Sequence, residues 1–391
     1  MLSETKDGLQ NMLHILGEYS SKNFMDINYT KTKGIIFNKT GKIIKTAYKL
    51  KDAFIYSTNS YKYLGLMITP SGALIHGLAD LKDRAMRAYY KLKQKLGHLF
   101  RRHINITLHL YNTLVRPILL YASDYWGCLK MPTNNPIETA HMRFCKDLLG
   151  VQKQTTNLGV LLELGEIPLT VLARNNCIRN FSRITVIKQA NTLLTTLAQE
   201  IPTNNSWFHT TQHSLDVTGI GKNNDSICKH LLQRLSDVFY QEAQQDLNRE
   251  SSKLRTYKEI KINVGRERYL THPMSVEVRI TFTKLRLSNH SLMIEVGRHR
   301  KVDVAERWCP FCLNRIETEK HFLLQCKLYT SIREELFRGV LLIFPTFSTL
   351  LENEKFFILM SHAECIPHTA LFTHKAFEIR SFLINSPKNH S

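Results

Sequence analysis

The sequence predicts an α+β protein, mostly helical, with a short strand-bearing opening, a helical bundle and a small Cys/His module. Three observations carry this. Before residue 73 apolar residues fall in short β-type runs, and from about residue 74 they recur every three to four positions. Near the other end, CPFCLNRIETEKHFLLQC (309 to 326) sets three cysteines and a histidine in one short stretch. With 391 residues and 43% hydrophobic content the chain is long enough to bury two or three separate cores.

The opening, residues 1–73, reads helix and then strands. Leu9, Met12, Leu13 and Leu16 recur at helical spacing after the polar start Ser3 to Asp7. GIIFNKTGK (34 to 42) reads as a β run closed by a Gly turn, and YKYLGLMITPSG (61 to 72) as a strand bounded by Pro70, Ser71 and Gly72. Residues 74–200 read as a bundle. Its helices are expected near 79–102, 106–114, 136–149 and 168–195, with breaks at Asn105, Pro117, MPTNNP and Gly165 to Pro168. The polar, Asn- and Gly-rich stretch 201–228 reads as a linker or long loop. A basic helical connector (229–301) follows, opening with a helix over 229–246. The Cys/His module occupies 302–337, and a carboxy-terminal tail, 338–391, closes the chain.

Lys and Arg number 53 against 33 Asp and Glu, for a net charge of +20 and a pI near 9.6. Such an excess favours a polyanionic partner through counterion release, and RNA or DNA is the expected one. No membrane role is expected: ILLYA (118 to 122) and VLLIF (340 to 344) are too short to span a bilayer. MLSETKDGLQ lacks the pattern of a secretory signal, so an intracellular place, nucleus or cytoplasm, is expected, with cysteines free or metal-bound. Cys128, Cys145, Cys177, Cys228 and Cys365 read as ordinary small side chains.

At 100° per residue, Arg84, Arg87, Lys91, Lys95, His98 and Arg102 form one stripe, while Leu81, Ala85, Tyr89, Leu92 and Phe100 lie on the other side. A solvated helix face is the plain reading, but such faces mix signs. Here only Asp80 and Asp83 oppose the cations, and like charges at i,i+4 cost stability. The stripe is therefore expected to face phosphates, which positions a backbone without reading bases. RITFTKLRLSNHSLMIEVGRHRK (279 to 301) either extends this surface or is an exposed helix and loop.

Cys309, Cys312, His321 and Cys326 give C-x2-C-x8-H-x4-C. Two thiolates on one turn and a second pair from the following helix suit a closed, tetrahedral structural zinc site. Three thiolates and an imidazole leave no open position for catalysis. The alternative is a chance cluster of buried thiols. Trp308 and Phe311 are placed either to stack on a base or to pack against the site.

Several stretches, in order, resemble reverse transcriptases of non-LTR (LINE-like) retrotransposons. INYTKTKGIIFNK is similar to the segment after that family's catalytic aspartates, where Lys31 and Lys33 correspond to a lysine near the incoming nucleotide. YKYLGLMIT resembles the hairpin that grips the primer, carried here by Tyr63, Leu64 and Gly65. LVRPILLYASDYWG, IETAHMRFCKDLLGV and LLELGEIPL look like its thumb and post-thumb helices, and ERWCPFCLNRIETEKHFLLQCKLYTSIREEL like its Cys/His module. The resemblance implies a palm remnant with a β-hairpin, a helical thumb-like bundle and a small CCHC zinc module.

It also implies a departure. Such enzymes hold two Mg²⁺ ions with aspartates, commonly in an Asp-Asp box, and this sequence has no Asp-Asp dipeptide. The chain is thus expected to be a truncated carboxy-terminal portion, inactive as a polymerase alone, with a missing palm fragment as a partner. A carboxy-terminal nuclease is not expected, since no Pro-Asp occurs. Two other readings stand beside this one: a host-retained protein-interaction module with a structural zinc, and a genomic relic without selected function.

Overall fold

The computed structural model describes residues 1–131, 134–187, 207–220, 224–249, 253–261 and 264–385. Helix dominates, and strand is confined to two antiparallel hairpins among the described residues. The chain divides into two compact units: residues 1–86 with 131–137, and residues 87–130 with 138–391.

In the first unit, α1 (Lys6–Lys22) starts at Thr5, whose hydroxyl accepts from the Gly8 N–H at 3.1 Å. Its apolar side packs on the hairpin of β1 (Ala47–Leu50) and β2 (Ala53–Tyr56), burying Leu13 against Tyr48, Leu50 and Ile55. Gln10 fixes the docking by pairing with both backbone groups of Lys49, at 2.7 and 2.9 Å.

The expected β run over 34–42 does not form. Only Gly34 makes a bridge, to Ser57. Beyond it the Asn38 side chain accepts from the Thr40 hydroxyl and donates to the Lys42 carbonyl, a local turn that competes with a strand ladder. The hairpin forms instead at 47–56, where alternation is short but partnered.

The second expected strand is a hairpin, β3 (Tyr61–Tyr63) and β4 (Leu66–Ile68). Leu64 and Gly65 close it with φ of 46° and 82°; two positive values define the tight turn that suits strand twist.

Helix α2 (Ile75–Leu96) runs through the stripe read from the sequence. After a short turn over 99–102 come α3 (Ile104–Leu114), α4 (Pro136–Leu149), α5 (Asn157–Leu164) and α6 (Leu169–Ile187). These match the expected helices, with α5 added; residues 188–195 of the last expected helix lie outside the described residues.

Inside the second unit, Phe144 of α4 stacks on Tyr111 at 3.6 Å and meets Tyr89 and Phe100 edge-on. His141, one turn away, is fully buried and pairs with the Tyr111 hydroxyl at 3.0 Å.

Burial pushes the His141 imidazole down to about 3, with Arg116 adding repulsion. Its ordinary value is about 6.5, so the unit gains stability from neutral His141 above that pH and loses it as pH falls toward 3. At pH 5 the loss is about 2 kcal/mol. Urea unfolding followed from pH 7 to 5 should show this slope in the parent and a flatter one in His141→Gln. Parallel slopes in the two proteins would refute it.

Part of the stretch expected as a linker, 201–228, is helical. Helix α7 (Trp207–Val217) buries Leu215 against Ile178 and Phe181 of α6, and α8 (Asn224–Asn248) adds Leu231 and Leu235. Residues 201–206 and 221–223 of that stretch lie outside the described residues.

The basic connector contains α9 (Val276–Arg286) and α10 (Met293–His299), and its key cations point inward. Arg279 and Arg286 are 4% and 0% exposed, so 279–301 is neither a phosphate-facing surface nor an exposed helix at these positions. Arg286 meets Glu163 of α5 at 2.7 Å and Glu267 at 2.9 Å, while Tyr257 and Tyr269 donate their hydroxyls to the same Glu163 carboxylate. A buried guanidinium needs such partners to stay folded as a cation.

Helix α11 (Thr330–Leu341) runs from the expected Cys/His module into the expected tail, whose further described residues form α12 (Glu352–Ser361) and α13 (Ile366–Asn385). Phe372 and Phe377 of α13 pack on Phe322 of the Cys/His module.

Candidate metal centre and basic face

The ligand atoms of Cys309, Cys312, His321 and Cys326 all lie within 4.8 Å of one another. Cys326 Sγ is 3.8 Å from Cys309 Sγ and 3.7 Å from Cys312 Sγ. These separations exclude disulfides, whose sulfurs sit about 2 Å apart. They match the roughly 3.8 Å edge of a tetrahedron with zinc–sulfur bonds of about 2.3 Å.

Local structure explains how the four converge. Around the first pair, Leu313 takes φ of 60° and its N–H donates to the Cys309 carbonyl at 2.9 Å. The loop returns through a bridge between Trp308 and Ile316. The second pair is five residues apart, which on an α-helix would set the side chains about 140° apart. Here His321–Gln325 form a π turn, closed by the Cys326 N–H to the His321 carbonyl at 2.8 Å. That wider turn carries both side chains to one side.

His321 is 3% exposed, and neither ring nitrogen has a hydrogen-bond partner among the described residues. A buried imidazole with both nitrogens unsatisfied is costly unless one of them binds a metal. The hydrogen bond from Cys326 holds the Cys309 thiol far down, at about 3, and pushes Cys326 up in turn. The donor set, the spacing and the orphaned imidazole all fit zinc in a closed structural role.

The loop between the pairs is anchored, not free. Glu317 accepts from Arg380 of α13 at 2.9 Å and from the Met293 N–H at 2.6 Å, while Glu319 binds Arg255 and His290. Arg333 of α11 donates to the Leu323 carbonyl at 2.9 Å. The module therefore shares a core with α9 to α13. Trp308 is 55% exposed and gives its indole N–H to the Ala305 carbonyl; Phe311 lies under the Arg380 guanidinium at 5.6 Å.

The basic stripe is split by the structure. Arg84 is half-buried and holds the first unit's second hairpin: it donates to the Gly65 carbonyl at 2.8 Å and pairs with Asp80 at 3.1 Å. It is a brace for the β3–β4 turn, which corrects its assignment to a phosphate. Arg87, Lys91, Lys95 and Arg102 are exposed and have no carboxylate partner among the described residues.

In the first unit, Tyr61 donates to the Lys31 carbonyl at 3.1 Å, tying the exposed loop of Lys31 and Lys33 to β3. Tyr63, 57% exposed, and Gly65 end the same hairpin.

Spacing did not reveal Asp147 of α4, which receives Lys93, Arg101 and the Tyr89 hydroxyl. Burial raises its pKa, but these three donors outweigh burial and hold it below the usual carboxylate range. Glu317 and Glu319, inside the Cys/His spacing, also went unread; nothing in a loop sequence marks a carboxylate as buried.

Fold and site together define a mostly helical, basic protein with a Cys₃His cluster whose geometry is compatible with a zinc site. No known protein family matches the sequence, and neither curated proteins nor solved structures yield a match.

Proposed function

We propose that this protein binds RNA or DNA through its phosphate backbone, with the Cys₃His centre as a structural zinc, and that it derives from a non-LTR reverse transcriptase. The observation that carries this reading is the exposed row Arg87, Lys91, Lys95 and Arg102, which bears no compensating carboxylate among the described residues. A row of like charges costs folding stability, and phosphates offset that cost when bound. The order of the Lys31, Tyr63 to Gly65, thumb-like and Cys/His segments supports the descent. This chain alone binds without extending a primer, because two-metal transfer needs clustered aspartates.

Fluorescence anisotropy with a structured RNA and a duplex DNA at two salt concentrations tests the reading. Reversing Arg87, Lys91 and Lys95 together to Glu should weaken binding at least about tenfold and flatten the salt dependence, by roughly 0.7 to 0.9 in logarithmic slope per lost phosphate contact. Unchanged affinity and slope would rule out the stripe.

A protein-binding role is favoured by one feature of the first unit. Phe24, Phe54, Tyr56 and Leu64 are 99%, 58%, 62% and 74% exposed. Association through them would be insensitive to salt, unlike phosphate binding.

A further inference from the structure

In the second unit, a cavity of about 1030 Å³ opens where the end of the α2 stripe meets the start of α9. Lys93, Arg101, Arg102 and Arg279 line it, with His98 and His272 beside them. Among the described residues the only carboxylate in the lining is Glu277. Cations share the wall with Phe100, Pro273, Met274 and Val276, so the charged groups fix what the cavity binds while the apolar ones shape it.

The charges are poorly neutralised. Lys93 and Arg101 share one carboxylate, Asp147. Arg279, 4% exposed, spends its donors on the carbonyls of Arg101 and Leu270, which carry no formal charge. Arg102 has no carboxylate partner among the described residues. The wall also includes Ser275, Val276 and Glu277, the first residues of α9, where a helix carries partial positive charge. Ser275 caps that helix by accepting from the Val278 N–H at 3.3 Å.

Position ties the cavity to the stripe. Arg87, Lys91 and Lys95 lead along α2 to its end at Leu96; past the break at Gly97, whose φ is 51°, His98 and Arg102 follow in the chain and line the cavity. From Arg87 to Lys95 the helix rises about 12 Å, a span over which a strand presents several phosphates.

We propose that this cavity is an oligophosphate-binding site that seats consecutive phosphates of the nucleic-acid strand tracked by the stripe. The proposal rests on the nucleic-acid reading above and adds a subsite to it: α2 guides the backbone, and the cavity holds the part that arrives there. Arg102, His272 and Arg101 meet the phosphate oxygens, and the buried Arg279 supplies field from behind. Glu277 limits the affinity, since its carboxylate opposes the ligand.

The test uses the full chain and two probes, a labelled single-stranded oligonucleotide by anisotropy and inorganic tripolyphosphate by calorimetry. The double variant R102E/H272E should lose tripolyphosphate binding and weaken the oligonucleotide about tenfold, with a shallower salt slope. E277K should tighten both, a gain that misfolding cannot produce. R87E/K91E should weaken the oligonucleotide but keep tripolyphosphate, so failure of the stripe is told apart from failure of the cavity. The proposal is overturned if R102E/H272E binds both probes as the parent does. Loss of tripolyphosphate with an unchanged oligonucleotide would assign the cavity to free oligophosphates and overturn its role for a strand.

Discussion

Removing the metal, by a strong chelator or by Cys326→Ser, is expected to unfold the region from Arg255 to the end of α13 while α2 persists. Isolated zinc modules draw about 10 to 16 kcal/mol of apparent folding free energy from the ion. Here the loop has its own anchors, so the loss should be smaller, about 5 kcal/mol or more. Without the ion, three sulfurs within 4.8 Å of one another remain packed beside an imidazole that has no hydrogen-bond partner among the described residues. Relieving that crowding displaces the π turn, and with it the loop that holds Glu317 to Arg380 and Glu319 to Arg255. The purified chain should carry one zinc, and hydrogen exchange should show protection lost over α9 to α13 when it is removed. A metal-free chain with unchanged protection would mean that the four residues are a cluster of buried thiols.

Glu163→Ala is expected to destabilise the second unit by about 3 kcal/mol, the low end for breaking a buried ion pair, because Arg286 keeps Glu267 as a partner. Both Glu163 and Arg286 are 0% exposed, and the same carboxylate also accepts from Tyr257 and Tyr269. Truncation therefore leaves Glu267 to hold the Arg286 guanidinium and takes away the carboxylate that accepts from two buried hydroxyls. The double replacement Glu163→Leu with Arg286→Met should recover much of the loss, because it removes both charges and fills the space. Urea denaturation of the three proteins measures this. If Glu163→Ala stays within about 1 kcal/mol of the parent, the network is not what holds α5 to α9.

The helices of the bundle were legible because an amphipathic helix writes its buried face in a period of 3.6. Leu81, Ala85, Tyr89 and Leu92 are buried as that period requires. The Cys/His set was legible for a different reason: ligand spacing is constrained by the reach of a single turn, and the four atoms do converge. The stretch 61–72 was legible as β but read as one strand where a hairpin forms, and the run at 34–42 forms no strand, since a β run forms a strand only where a neighbour offers a ladder.

Cations were the least legible. Arg84, Arg87 and Lys91 share one stripe in the sequence, yet Arg84 closes a hairpin turn while the other two meet solvent. Arg279 and Arg286 looked like surface charges and are buried. A guanidinium goes where carbonyls and carboxylates can satisfy its five donors, and those acceptors come from Glu163, Glu267 and Leu270, distant in sequence or on other elements.

By itself the sequence determined the helical class, the four residues of the Cys/His cluster, the excess of positive charge and the stripe that carries part of it. These follow from local spacing and composition, which a chain expresses before it folds. Tertiary structure alone decided which cations are braces and which are free. It also joined the last helices to the Cys/His loop and brought residues 93–102 and 271–279 around one cavity. Those outcomes depend on long-range pairing of buried charges, where desolvation penalises every arrangement except the one in which each partner is met.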